Sequence, residues 1–271
     1  MSTCGARPSA RGTVDIGRPP RGRGELGLRT RVIAPLTSGS RDGLLDEAAA
    51  VGDEPVDLVE WRADSMVRAL AGSSFAAPDL VGELTATAGA LLGASALPLI
   101  ATVRTSSEGG AAHLDDSEYC ALVASLSGMA DAVDVEIGRE GAPDLVREAQ
   151  RAGARVIASH HDFGGTPGDE ELAGVLASMN HAGADVLKIA CAPRSGGDVA
   201  RVLTAGAWAR EAYDRPVIAI AMGRLGGPTR FAGAALGGAA TFASVGGASA
   251  PGQYTAREAR TVLDIVEGAS Q

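Results

Sequence analysis

From Arg31 onward, short β-branched or Leu-rich runs alternate with longer Ala-rich amphipathic stretches. The runs at 31–36, 56–61, 98–104, 131–137, 155–160, 184–189, 216–221 and 240–245 read as eight strands. Helical segments fall between and after them, near 41–52, 65–93, 113–130, 141–153, 168–182, 195–213, 228–238 and 255–268. Thr166-Pro167 predicts one helix start, a capping residue followed by Pro at the first helical position, and Thr255-Ala-Arg-Glu258 has capping-box spacing. Strict β/α alternation of this kind predicts a (β/α)8 TIM barrel, with a doubly wound open sheet as the alternative. In such a barrel, polar residues late in a strand or just after it converge on one pocket at the C-terminal face. Those residues here include Glu60 and Arg62, Arg104 with Glu108, Glu136, His160, His161 and Asp162, Lys188, Met222 with Arg224, and Ser249 with Gln253.

Residues 1–29 differ, with six Arg against Asp15 and Glu25, several Gly and Pro, and no sustained apolar period. They read as a disordered leader without the apolar region of a secretory signal, ahead of one catalytic domain over 30–271. The chain is 45% hydrophobic and 21% charged, enough apolar material for a substantial core. Its net charge is −9, and −13 for residues 30–271, so nucleic acid is not an expected partner, and any anionic ligand needs locally placed Arg. Cys4, Cys120 and Cys191 are widely spaced with no C-x-x-C, which fits a reducing cytoplasm rather than a disulfide framework or structural zinc. The uncharged stretch 231–252 is too rich in Gly and Ala, with Pro251, to predict a membrane span.

The basic residues hide the most informative count: Lys188 is the single lysine among 24 basic residues. It lies in the apolar run Ala184-Asp-Val-Leu-Lys188-Ile-Ala190. A guanidinium does not deprotonate near neutral pH and cannot act as a nucleophilic amine, whereas a desolvated lysine can. Burial and cations such as Arg62 or Arg104 would disfavour the ammonium form, and a Schiff base with a ketone is the natural product. An isolated lysine at a barrel mouth would ordinarily be paired with Asp or Glu, but its uniqueness in this chain favours chemistry.

A protonated imine draws electrons and acidifies the neighbouring C–H, so a second group must take that proton. His160 and His161 end the strand before the lysine strand, and either could do so. Adjacent histidines point to opposite sides of a strand and no third ligand has zinc spacing, so no metal is expected. His113 and His181 fall in or beside helical segments. Arg230 follows Gly226-Gly-Pro-Thr at a helix start, where it could hold a carboxylate or simply be solvated. Glu60 and Arg62 share a side of their strand, a spacing that suits polyol hydroxyls or a rim salt bridge. Gly22-Arg-Gly24-Glu-Leu-Gly27 matches G-x-G-x-x-G but has no preceding strand, so a dinucleotide site is not expected.

Over about residues 30–268 the sequence resembles the type I 3-dehydroquinate dehydratases. The resemblance is carried by Asp57-Leu-Val-Glu60-Trp-Arg62-Ala-Asp64, Thr102-Val-Arg104 through Glu108-Gly-Gly110, Ser159-His-His161-Asp-Phe163 with Thr166-Pro167, and Lys188-Ile-Ala190. It continues at Met222-Gly-Arg-Leu-Gly226 with Thr229-Arg230 and at Thr241-Phe242 through Ser249-Ala-Pro-Gly-Gln253. It implies a cofactor-free lyase that turns 3-dehydroquinate into 3-dehydroshikimate, the third step of the shikimate pathway to chorismate and the aromatic amino acids. By the same resemblance Lys188 forms the imine and His161 moves the proton and assists loss of water. Arg230 takes the substrate carboxylate, and Glu60, Arg62, Arg104, Ser249 and Gln253 hold ring hydroxyls, the last two from a closing loop. Met222 and Phe242 form apolar walls, Glu108 matches the motif without an assigned role, and the protein is expected to be a cytoplasmic homodimer. The departures are Thr229 where the family usually has Ser, Ile220 where Met is common, and the Arg-rich leader. An aldolase using a Schiff base on the same fold would need a late phosphate-binding nest, and none stands out. A non-catalytic sensor would have no need of both His161 and Lys188.

Overall fold

The computed structural model describes residues 12–17, 24–71, 77–245 and 254–268. Among them, eight parallel strands form one sheet: β3 (Arg31–Leu36), β4 (Leu58–Arg62), β5 (Leu99–Thr102), β6 (Ala132–Glu136), β7 (Arg155–Asp162), β8 (Val186–Cys191), β9 (Val217–Ala221) and β10 (Ala240–Phe242). They pair in chain order, with β10 returning beside β3. The last seam, between β9 and β10, is joined at Gly237–Ala239 rather than by a full ladder: Ala219 N donates to the Gly237 carbonyl at 2.8 Å and Ala239 N to the Val217 carbonyl at 2.9 Å. The barrel expected from the alternating pattern is therefore the one found, and each strand overlaps its expected run.

The helices α1 (Arg41–Val51), α2 (Ala63–Ala71), α3 (Ala77–Ala94), α4 (Asp116–Ser127), α5 (Ala142–Arg151), α6 (Asp169–His181), α7 (Gly196–Tyr213), α8 (Gly227–Arg230) and α9 (Ala256–Val266) follow the strands. Three expectations need correction. The segment 65–93 is two helices, α2 and α3. The segment 228–238 holds only the single turn α8 and a short 3-10 turn, because its glycines pack where side chains cannot: a Cβ at Gly237 would lie 2.7 Å from the Gly206 backbone of α7. Helix α6 starts at Asp169 with Gly168 as its N-cap, two residues beyond the expected Thr166 cap. Thr166 instead donates its hydroxyl to the Ala192 carbonyl at 3.4 Å, and Asp169, Glu170 and Glu171 face the positive end of the helix. The capping box at Thr255 and Glu258 is present as expected.

Outward-facing residues of the strands pack under the helices. One cluster joins β3–β6 to the flanking helices around Trp61 and Tyr119, and a second joins β7–β9 to α6 and α7. The inward face is layered, as a period of two residues requires. Its lowest layer takes one apolar residue per strand: Ile33, Leu58, Ile100, Ala132, Ile157, Val186, Ile218 and Ala240.

The expectation of a disordered leader over 1–29 fails for its described part. Strands β1 (Val14–Ile16) and β2 (Gly24–Leu26) form an antiparallel hairpin under the barrel. Ile16 and Leu26 are fully buried against that lowest layer. Arg31 Nε donates to the Glu25 carbonyl at 2.8 Å, and Arg155 Nε to the Asp15 carbonyl at 3.3 Å, tying the hairpin to the strand ends. Val14 packs partly buried against the same cluster, so the floor of the barrel supplies the apolar contact for this short segment. Gly24, part of the apparent dinucleotide motif, lies against Leu58, where a Cβ would be 2.9 Å from the leucine side chain.

Candidate active site

Two residues above the apolar floor, the inward positions become Pro35, Glu60, Thr102, Asp134, Ser159, Lys188, Ile220 and Phe242. One step higher stand Arg62, Arg104, Glu136, His161 and Ala190. The parallel ladder sets Ser159 beside Lys188 and His161 beside Ala190, so the lysine and the second histidine rise into the same space from adjacent strands. That space is a cavity of about 360 Å³ lined by Glu60, Arg62, Arg104, Glu108, His161, Phe163, Lys188, Ile220, Arg230 and Phe242, among others.

Lys188 is 5% exposed, and its nearest charged neighbours are carboxylates. Its Nζ donates to Asp134 Oδ2 at 3.0 Å and lies 3.8 Å from Glu60 Oε1, with the Phe242 ring centroid 4.9 Å away. The sequence-based expectation that Arg62 or Arg104 would be the amine's immediate company is thus corrected: both guanidiniums are engaged elsewhere. Arg62 makes a two-pronged pair with Asp64 at 2.8 and 2.9 Å. Arg104 donates to Asp134 at 2.6 Å, to Ser159 Oγ at 2.9 Å, and to Glu108 and Glu136 at 3.2 Å each.

Asp134 was not singled out from the sequence, and Ser159 entered only as part of a motif, because attention to strand ends passes over mid-strand positions. Asp134 lies two residues before Glu136 on β6 and shares its inward face, and an acid in the middle of a buried strand is the signal that points to it. Burial alone would raise its carboxyl, but Arg104 and then Lys188 outweigh that and hold it well below the usual carboxylate range.

His161, not His160, faces the cavity, because β7 stays extended to Asp162 and keeps Ile157, Ser159 and His161 on one side. Its Nδ1 is 2.8 Å from Glu108 Oε2, and the same oxygen accepts from the His161 backbone N at 3.2 Å. His160 Nδ1 comes only to within 3.9 Å of the other oxygen of Glu108, Oε1. Glu108, left without a role by sequence reasoning, therefore orients the imidazole. Burial pushes its carboxyl up to about 8 despite Arg104. Burial, reinforced by Arg104 and Lys188, holds the His161 imidazole well below its usual value. The turn that presents Glu108 requires Gly109, which has φ of +76° and lies under the Phe163 ring, where a Cβ would be 2.2 Å from a ring carbon.

Across the cavity, Arg230 makes no salt bridge with any described residue, and its buried Nε has no partner. Burial lowers this guanidinium from its usual value. Thr229 shapes the turn that carries it, accepting from Ala221 N at 3.0 Å and donating to the Gly226 carbonyl at 2.8 Å. Glu60 accepts from Thr102 Oγ1 at 2.9 Å, so the rim salt bridge allowed by its spacing from Arg62 does not form. Phe242 lines the cavity. Met222 is corrected: it packs partly buried against the apolar lining of the barrel, and Ile220, Ala190 and Phe163 complete the wall instead. Ser249 and Gln253 lie outside the described residues.

Comparison with known proteins identifies the family. The sequence model of type I 3-dehydroquinase matches residues 32–270. The chain belongs to the type I 3-dehydroquinase family. It is 39% identical to a 3-dehydroquinate dehydratase of Klebsiella pneumoniae subsp. pneumoniae over 244 residues, 88% of this chain and 93% of the relative. A Salmonella paratyphi B 3-dehydroquinate dehydratase is 36% identical over 245 residues, 88% of this chain and 94% of the relative. Among solved structures, the type I 3-dehydroquinate dehydratase of Clostridium difficile with covalently modified comenic acid superposes with a TM-score of 0.85 at 29% identity, over 96% of this chain and all of that one (100%). The 3-dehydroquinate dehydratase of Geobacillus kaustophilus gives 0.80 at 34% identity, over 91% and 95%. No helix among the described residues is long and apolar enough to cross a membrane.

Proposed function

We propose that this type I 3-dehydroquinase dehydrates 3-dehydroquinate to 3-dehydroshikimate through a Schiff base at Lys188, without a cofactor. The observation that carries the reading is the chain's one primary side-chain amine opening on the same cavity as an imidazole locked by a carboxyl group 2.8 Å away. The Clostridium difficile relative with covalently modified comenic acid adds support for covalent chemistry in the family.

Arg230 binds the substrate carboxylate: a buried guanidinium with no described partner gains most from an anionic ligand. This fixes the ring with its ketone toward Lys188. Glu60 and Arg62 hold hydroxyls, Arg62 being aligned by Asp64. Arg104 lines the cavity as well, and its hydrogen bonds to Glu136, Ser159 and Asp134 support a second role in ordering the groups around it. Ser249 and Gln253 complete the hydroxyl contacts by the family resemblance.

With the imine formed, His161 takes a proton from the carbon next to the former carbonyl; the C–H pair becomes a C=C bond while the C=N pair moves onto nitrogen, giving an enamine. The enamine then expels the hydroxyl on the next carbon, which leaves as water with the proton returned by His161. Hydrolysis of the product imine restores the lysine. A base at this position must present a free ring nitrogen to the substrate. Glu108 in its ionised form accepts from Nδ1–H and leaves Nε2 free, whereas a neutral Glu108 donates to Nδ1 and places the remaining proton on Nε2.

By the same reading the enzyme serves the shikimate pathway as a cytoplasmic homodimer. Mixing purified protein with 3-dehydroquinate and following enone absorbance tests the activity, with Lys188→Arg beside wild type. The absorbance rises with wild type and stays flat with the variant. A flat trace with both would contradict the assignment.

A further inference from the structure

We propose that Asp134 is the fixed counter-ion of the imine at Lys188, holding that nitrogen protonated through the reaction from 3.0 Å away. The role rests on the imine reading given above. Asp134 is 1% exposed in the middle of β6 and does not line the cavity, so a ligand meets Lys188 before it can meet this acid. Its Oδ1 is occupied by Arg104 at 2.6 Å and Ser159 Oγ at 2.5 Å, which leaves Oδ2 for the lysine nitrogen. Arg104 is fixed in turn by Glu136, and Glu136 by the backbone and hydroxyl of Thr105 at 2.8 and 2.7 Å and by Arg139 at 3.2 Å. The negative charge is therefore held in place before any substrate arrives.

The other titratable or charged groups around the nitrogen are Glu60 from β4, Arg104 beyond β5 and His161 from β7, while β9 and β10 present Ile220 and Phe242. Glu60 is farther from the nitrogen, is engaged by Thr102 and faces the ligand space, so it cannot serve both partners equally.

The chemistry needs such an anion. An ammonium and a ketone combine to an iminium and water: the N–C bond forms, the C–O bond breaks, and the oxygen leaves with two of the nitrogen's three protons. The nitrogen carries one positive charge before and after, so a carboxylate fixed beside it requires no rearrangement. An imine that sheds its last proton is a weak electron sink, and a carboxylate in contact with it opposes that loss. Arg104 and Lys188 keep Asp134 ionised in spite of its burial.

Asp134→Asn keeps the shape and removes the charge. With 3-dehydroquinate and borohydride, the variant is expected to trap ligand on Lys188 at least about tenfold more slowly than wild type. The alkaline limb of its kcat profile should move down by about one pH unit or more, with KM within about threefold. Asp134→Glu should return the limb toward the wild-type position, which simple loss of packing would not predict. Should Asp134→Asn not fold, wild type loaded with 3-dehydroshikimate still decides. Its C=N Raman band should shift in D2O up to about pH 10, as a protonated imine requires. Unchanged trapping and an unmoved limb in folded Asp134→Asn, or a band insensitive to D2O near neutral pH, overturns the counter-ion role. Absence of any Lys188 adduct in wild type overturns the imine itself, a separate outcome.

Discussion

The floor and the mouth of this barrel are built from the same inward-facing positions of the same strands and differ almost completely. At the floor, every strand contributes an apolar residue, and Ile16 and Leu26 of the hairpin close the end. Two residues further along, Glu60, Asp134, Ser159 and Lys188 occupy the equivalent sites, and two beyond those stand Arg62, Arg104, Glu136 and His161. At about 3.3 Å per residue, the change from oily packing to a network of paired charges takes place within roughly 7 Å. Stability and chemistry are thereby assigned to opposite ends of each strand, and substitutions at the two ends should give opposite kinds of damage.

The sharpest contrast comes from Lys188→Arg, which conserves charge and should lower turnover at least about a thousandfold in the enone assay while the protein melts as a cooperative unit. His161→Ala should reduce kcat by about 10² to 10⁴ with little change in KM, and His160→Ala should do much less. Equal losses in the two histidine variants would break the assignment of the base. The dyad also predicts a pH profile. Because Glu108 is raised to about 8, the pair holds one proton too many at lower pH, so kcat should climb as pH rises through about 8. Glu108→Gln should remove that limb, which steady-state rates between pH 6 and 9.5 would show.

Arg230→Ala should act mainly on KM, raising it by about 10- to 150-fold, as loss of a buried charge-assisted contact predicts. A change confined to kcat would place the carboxylate elsewhere. The floor should show the smallest effect on chemistry. Ile16→Ala or Leu26→Ala is expected to cost about 2–4 kcal/mol of stability, read from denaturant melts, with kcat/KM of the folded enzyme unchanged. A large catalytic defect there would mean that floor and mouth are coupled.

Much of this division was legible in the sequence because the barrel strands are short, mostly apolar runs that alternate with longer amphipathic stretches, and several carry a polar residue at or near the C-terminal end, as at Arg62, Glu136 and Asp162. The hairpin was not, since three-residue strands amid Arg, Gly and Pro leave too few apolar positions to reveal a period. The lone lysine and its strand could be read directly. The choice between His160 and His161 could not be made from the residues alone, for it depends on β7 staying extended to Asp162, and the family resemblance supplied it first. Glu108 was visible as a motif residue, but only the turn at Gly109 places its carboxyl on the imidazole. Asp134 was missed because a buried mid-strand acid is recognised by its partners, Arg104, Ser159 and Lys188, which come together only when strands β5 to β8 are side by side.

Everything at the mouth turns on whether the lysine nitrogen bonds to carbon. Wild-type enzyme reduced with borohydride in the presence of 3-dehydroquinate, then digested and mapped by mass spectrometry, reads this directly. A ligand-sized mass increase on the Lys188 peptide, with loss of activity in proportion to labelling, is the expected result. An unmodified Lys188 in enzyme that is fully active before reduction, under conditions that trap other lysine imines, would contradict it.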